Sequence, residues 1–442
     1  MSDLRVGADR VDITPRVPIA LAGFAARAEL GPATQVSAPL RLRTLTFATG
    51  DRRDGPGHDA SGRAVLIGAD LLWWGSDTAD RLRSEISARY GIPTDAILLH
   101  ATHTHSGPQT SHRFVPLLGE ADQSYIDRLC STAVDSVGRA LAASTAVTVE
   151  RASAPAGLGV DRRWARTRGE VPRVAVDDDA TVVRFRRGKE TVALLVHYAC
   201  HPVVHHANAV SSDFCGAAMD ELERRHAGAV ALYAQGCCGD VNPDAYDDEG
   251  RFRDGDQAAV RSLGERLADR VDAALAGECV ALDAVSVAGG SWTVELPVDG
   301  PPSPIQLRER ADEPGLLGQW ARLLLADPDR LTSTVPVVFS RLRIASGLTL
   351  LGMSAEPVSA YGLQVKADSG GAVLPLGYTN GMTGYLVTAQ QLAEGGYEPA
   401  EAPYYFGMPG PLAPKAEQLL RDALHSATTR LAQPHLGSPR PK

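Results

Sequence analysis

The sequence predicts a mixed α/β fold, a mixed β-sheet core with surrounding helices, and three observations point to it. Short apolar runs rich in Val, Ile, Leu and Thr alternate irregularly with longer segments of helical periodicity. No GxGxxG or Walker loop stands between them, which excludes the common nucleotide-binding folds. The 442 residues contain no linker that divides them, so 1–433 is expected to be one domain and 434–442 a disordered tail.

The strand-like runs fall in order at about 40–48, 64–70, 96–102, 145–152, 181–187, 191–199, 229–234, 281–297, 335–345, 348–353 and 372–378. Each is apolar on one or both faces, as half-buried or fully buried strands require. Helical periodicity is clearest at about 77–90, 123–143, 216–226, 256–276, 315–325, 358–367 and 413–431, where apolar residues recur three and four apart. Segments 51–62, 241–256 and 298–312 are rich in Gly, Asp and Pro and read as loops, the first a solvated turn.

Histidine placement is the strongest functional signal. Of 12 histidines, seven lie in two segments, each an apolar strand running into a loop. In LHATHTHSGPQT, Ser106, Gly107 and Pro108 force a turn just after His103 and His105. If the chain is still extended there, both rings leave on one side. Two close imidazoles can share a metal, or one can bind it while the other moves protons; the alternative is hydrogen bonding in a packed core. In the second segment His201 precedes Pro202 at a strand exit, a constrained position that can hold a side chain toward a cleft. His197, inside the apolar run, reads as a core histidine. His205 and His206 line a cleft mouth or are plain loop residues.

Composition narrows the classes. A net charge of −9 argues against a nucleic-acid or phosphate-binding surface. No apolar leader and no membrane-length apolar run is seen, which leads to an expectation of a cytoplasmic protein. The cysteines are few, without CxxC, so no disulfide frame is expected, and Cys237 and Cys238 read as small buried hydrophobes. Arg162, Arg163 and Arg166 read as loop residues able to reach an anionic substrate group.

Five stretches resemble, in order, the catalytic domain of the neutral/alkaline, non-lysosomal ceramidases, a family of zinc-dependent amidases. They are GADRVDITP with AGF at 22–24, ATHTHSGP at 101–108, YACHP at 198–202 with SSDFCG, AQGCCGDVNP at 234–243, and AEP at 355–357 followed by TNGMTGYLVT at 379–388. The resemblance implies one Zn2+ per chain held by His103, His201, Glu356 and Tyr385, with His105 in proton transfer. Read without it, Glu356 would be a carboxylate facing the N-terminus of a helix over 358–366, and Tyr385 an ordinary half-buried aromatic.

The chain departs from that pattern at its N-terminus, where no apolar leader is read, and in two further places. Where the family's GDVSPN carries a serine, Asn242 stands here; it can hydrogen-bond near the scissile carbonyl but cannot be a nucleophile. The family's C-terminal β-rich domain is not expected in this chain. The expected function is therefore zinc-dependent hydrolysis of an amide by metal-activated water, with His105 and Asn242 as catalytic residues. The substrate is an N-acyl lipid such as ceramide, or a small N-acyl or natural-product amide. Two alternatives remain open: a metal-dependent esterase or phosphoesterase using Asp70, Asp213 or Asp240, and a zinc-binding protein without turnover.

Overall fold

A computed structural model describes residues 4–49 and 62–429. The turn expected at 51–62, Gly62 apart, and the tail expected from Pro434 lie outside the described residues.

Two five-stranded sheets form the centre. The first runs β4 (Ile97–Ala101), β3 (Arg63–Ala69), β2 (Arg41–Thr49), β1 (Leu4–Asp12), β5 (Thr145–Ala146), with β3 and β4 parallel and the rest antiparallel. The second runs β10 (Val230–Gln235), β9 (Glu190–Tyr198), β8 (Asp179–Arg187), β6 (Thr148–Pro155), β12 (Val280–Leu282), with β9 and β10 parallel. A parallel pair needs a crossover. Helices Ser76–Tyr90 and Asp213–Arg225 supply them.

The sheets face one another. Val183, Phe185, Ala193 and Leu195 join the core shared with the first sheet, while Val182, Leu194, Val196 and Tyr198 point into a second core under helices Asp213–Arg225 and Gln257–Ala276. This is the period-two alternation of a strand buried on both sides. Phe47 and Phe185 meet across the sheets with ring centroids 5.8 Å apart. Helix Gln123–Ala142 covers the outer face of the first sheet with Tyr125, Ile126, Leu129, Ala133, Val134 and Val137. Each such buried side chain contributes roughly 1.5–3 kcal/mol, and Asp122 caps the helix through the Tyr125 N–H at 3.0 Å. The expected sheet core with outer helices is present, resolved into two stacked sheets. A continuous apolar run looks the same whether a helix or another sheet covers it.

A third sheet comprises β13 (Ala284–Pro297), β14 (Thr334–Ala345), β15 (Leu348–Met353) and β17 (Val373–Leu376), the last two parallel and joined through helix Ser359–Asp368. Two short pairs complete the frame: β7 (Gly159–Asp161) with β11 (Val241–Pro243), and β16 (Glu356–Pro357) with β18 (Tyr385–Leu386).

Two segments expected as loops contain helix. Residues 304–310 form one, started by a capping box between Ser303 and Gln306. Arg162–Arg166 form another, capped by Asp161, whose Oδ1 accepts from Arg163 N and Trp164 N. Both are too short to show periodicity, and a cap is enough to hold them.

Candidate metal centre and its cleft

The segments that carry His103, His201, Asn242, Glu356 and Tyr385 follow the C-terminal ends of strands with a parallel neighbour: β4, β9, β10, β15 and β17. Crevices beyond such ends are where α/β sheets place ligands.

β4 ends at Ala101, and His103 adopts the left-handed region with φ 69°. His103 and His105 therefore do not leave an extended strand on one side, as expected. Their rings meet because the chain turns between them, and the Nε2 atoms lie 3.2 Å apart. A non-glycine residue in that region costs about 1–3 kcal/mol and persists only when its surroundings over-determine it. Here His103 N donates to Leu71 O at 2.9 Å, Nδ1 donates to Leu72 O at 2.9 Å, and the ring stacks on Tyr378 at 3.9 Å.

His201, just beyond β9, is held in the same way. Its Nδ1 donates to Cys238 O at 2.6 Å. A carbonyl can only accept, so each ring carries a proton on Nδ1 and turns its Nε2 inward. Both Nε2 atoms face one carboxylate oxygen: Glu356 Oε1 is 2.7 Å from His201 Nε2 and 3.3 Å from His103 Nε2. Burial and the nearby Arg162 push the His201 imidazole down to about 4, so it is neutral at physiological pH.

Tyr385 is the direct partner of Glu356 in the β16–β18 pair. Its hydroxyl accepts from Arg162 Nη2 at 3.1 Å, and Arg162 Nη1 lies 3.4 Å from His201 Nε2. The structure thus brings His103, His105, His201, Glu356 and Tyr385 to one place. Glu356 is in a short strand and does not face the helix N-terminus considered from sequence. His105 is part-buried; burial and its neighbours His103 and His201 push it well below the usual imidazole range. Its Nδ1 has no hydrogen-bond partner among the described residues. Asn242, on β11, donates through Nδ2 to Tyr246 OH at 2.9 Å, with Oδ1 3.5 Å from Arg162 Nη1. His105, Arg162, Asn242 and Tyr385 line one cleft of about 410 Å³.

Other candidates fall elsewhere. His197 is buried and donates to Pro375 O at 2.8 Å, a core histidine as expected. His205 is buried, whereas His206 lines the cleft. Cys237 and Cys238 are buried free thiols. A larger cavity, 610 Å³ between Arg151 and Lys366, is lined by no histidine.

The sequence reading missed three contributors. Arg162 was read only as a loop residue for an anionic group, yet it is buried against Glu398 at 2.8 Å. Tyr378 stacks under His103, and the buried Arg27 donates to Ser106 Oγ at 3.0 Å, to Ala207 O at 2.9 Å and to the His105 and His205 carbonyls. No spacing signals a residue whose partners lie far away in the chain.

The donor set fits a metal. A neutral imidazole lone pair 2.7 Å from a carboxylate oxygen is repulsive unless a cation lies between them. His103, His105 and His201 offer nitrogen atoms all within 4.8 Å of one another. The inward Nε2 atoms of His103 and His201, together with Glu356, form an N/O set of the kind that binds zinc.

Fold and site together define a mixed α/β protein with a buried histidine and carboxylate group compatible with a metal. The chain belongs to the neutral/alkaline non-lysosomal ceramidase family, whose N-terminal model matches residues 4–257. Membership implies hydrolysis of the amide bond in ceramide-like substrates. Among solved structures, the chain is similar to the neutral ceramidase from Pseudomonas aeruginosa, at 20% identity and a TM-score of 0.74, covering 100% of this chain and 77% of that one. It is also similar to a ceramidase complexed with C2, at 18% identity and a TM-score of 0.75, covering 100% and 78%. These likenesses are of fold. No curated protein matches the sequence.

Proposed function

We propose that the protein is a zinc-dependent hydrolase of N-acyl amides, and one observation carries the reading: Glu356 Oε1 facing the inward Nε2 atoms of His103 and His201. In it, His103, His201, Glu356 and Tyr385 hold one Zn2+. When bound, zinc would act as a Lewis acid and lower the pKa of a water far below its bulk value, to about 7.

The remaining chemistry belongs to the chain. The carbonyls of Leu72 and Cys238 fix the two imidazole tautomers, and Arg162 holds the Tyr385 phenol by donating to its oxygen. His105, neutral and facing the centre with Nε2, takes up a proton there and returns it to the departing amine nitrogen. Asn242 hydrogen-bonds beside the scissile carbonyl, and with no hydroxyl at that position no acyl-enzyme forms through it.

The substrate is an N-acyl lipid such as ceramide or a smaller N-acyl amide. The phosphoesterase alternative loses its support from the carboxylates. Asp70 pairs with Arg43 at 3.5 Å, Asp213 accepts from His205 N and Phe214 N, and Asp240 accepts from Ser359 N and Gln391 Nε2. Among the described residues no helix is long and apolar enough to cross a membrane; a cytoplasmic setting belongs to the proposal.

Metal analysis with an N-acyl amide panel tests this. His103→Ala and His201→Ala should lose the metal, whereas His105→Ala should keep it and lose about 10²- to 10⁴-fold in kcat. Equal metal content in all three variants, or no amide hydrolysed by zinc-loaded protein, contradicts the reading.

A further inference from the structure

The cleft beside the proposed centre carries few charges, and they differ in how they are neutralised. Arg162 is buried and bound by Glu398 at 2.8 Å. Asp254, on the other rim, sits against His206 at 3.1 Å and is more than half exposed. Arg166 lines the same cleft; its charge reaches Glu398, whose two oxygens pair with Arg162 and Arg163 instead. It stands four residues after Arg162 on the helix Arg162–Arg166, so both side chains leave one face.

Arg166 also stands at the end of a row of polar groups. Its charge acts on the Tyr246 hydroxyl, which accepts from Asn242 Nδ2 at 2.9 Å, and Asn242 Oδ1 is 3.5 Å from Arg162 Nη1. A polar rail therefore runs from the metal ligands to the cleft mouth and ends on a cation. The cleft is also lined by the aromatic rings of Phe24, Phe252, Tyr397 and Tyr405. A planar guanidinium fork beside an apolar wall suits a carboxylate attached to an apolar body.

We infer that Arg166 favours N-acyl substrates bearing a carboxylate over otherwise similar uncharged ones, by pairing with that group in the cleft. This rests on the amide-hydrolase reading and deepens it. The carboxylate can belong to the amine half, as in N-octanoylglycine, or to the acyl half, as in N-octylsuccinamic acid.

The test compares kcat/KM of zinc-loaded enzyme on each acid with that on its own primary carboxamide, in wild type, Arg166→Gln and Arg166→Lys. At least one acid should be preferred over its carboxamide by ten- to a hundredfold, and the acid that is preferred identifies the half. Arg166→Gln should bring that ratio toward one by raising KM, and Arg166→Lys should restore part of it. A second arm measures, by calorimetry, binding of octanesulfonylglycine, whose sulfonamide replaces the scissile amide; Arg166→Gln should weaken it about tenfold. Ratios near one in wild type, ratios unchanged in Arg166→Gln, or sulfonamide binding indifferent to Arg166 overturn the inference. Arg166-dependent binding of the sulfonamide, with no amide hydrolysed, overturns the amide-hydrolase reading and leaves the carboxylate site standing.

Discussion

Gly23 has φ +105°, and a Cβ built there would stand 2.8 Å from His105 Nδ1 and 3.0 Å from its Cα. Both the backbone conformation and the space therefore require glycine. Phe24, next in the chain, lies against the His105 ring at 4.9 Å, so the AGF stretch forms one wall of the imidazole's seat. Gly23→Ala must push His105 away from the centre while leaving His103, His201 and Glu356 untouched. The expected result is a ten- to hundredfold fall in kcat with metal content preserved, measured by amide hydrolysis beside metal analysis. Unchanged kcat would show that the position of His105 does not matter to turnover. Asn242 illustrates the other residue-scale point: the sequence shows that it cannot attack, and the structure shows what it does hold, Tyr246 on one side and Arg162 on the other.

At the scale of elements, the site is built from loops, and buried side chains tie them together. Arg27, in the short helix Ala25–Glu29, joins the His105–Ser106 loop to the His205–Ala207 loop through four carbonyls and one hydroxyl. It also lies over the Phe24 ring at 4.7 Å. Gln235 makes the equivalent link one layer deeper, donating from Nε2 to Thr102 O at 3.0 Å and Cys200 O at 2.9 Å. Removing Arg27 leaves several acceptors without a donor, and each buried one costs about 1–3 kcal/mol. Arg27→Met should lower stability by roughly 2–4 kcal/mol, read from the denaturant midpoint, with Arg27→Lys intermediate. A midpoint unchanged in Arg27→Met would mean that water replaces the clamp at no loss. Pairing of short elements matters as much: two residues of β16 on two of β18 set Glu356 beside Tyr385.

For the whole molecule, the stacked sheets impose a pH dependence. His100 is fully buried; its Nε2 accepts from Gln235 N at 2.7 Å, and Nδ1 meets Thr379 Oγ1 at 3.0 Å. Protonating Nε2 would set two N–H groups against each other. Burial, with His197 nearby, pushes this imidazole down to about 3 from its ordinary 6.5. The unfolded chain then binds the proton and the folded one does not, so this contribution to stability is complete above pH 6.5 and is lost as pH falls toward 3. Each pH unit costs about 1.4 kcal/mol. His105, His197 and His201 are held below the ordinary imidazole range as well, so denaturant unfolding in chelator between pH 7 and pH 4.5 should show at least that slope, and His100→Gln, whose amide oxygen can take the Gln235 bond, should reduce it by about 1.4 kcal/mol per pH unit. An equal slope in the variant would assign the acid sensitivity to other groups.

Much of this was legible in the chain. The buried strands and amphipathic helices, the core placement of His197 and the two histidine loops come from periodicity and local spacing, which act within a few residues and leave a pattern in the letters. Glu356 and Tyr385 were reached only by resemblance. Arg162 with Glu398, the Tyr378 stack and the Arg27 clamp left no local trace. Those contacts depend on which strand ends the packed sheets bring together and on where a buried charge finds its counterion. Such choices are made by long-range pairing and desolvation, so only the tertiary structure decided them.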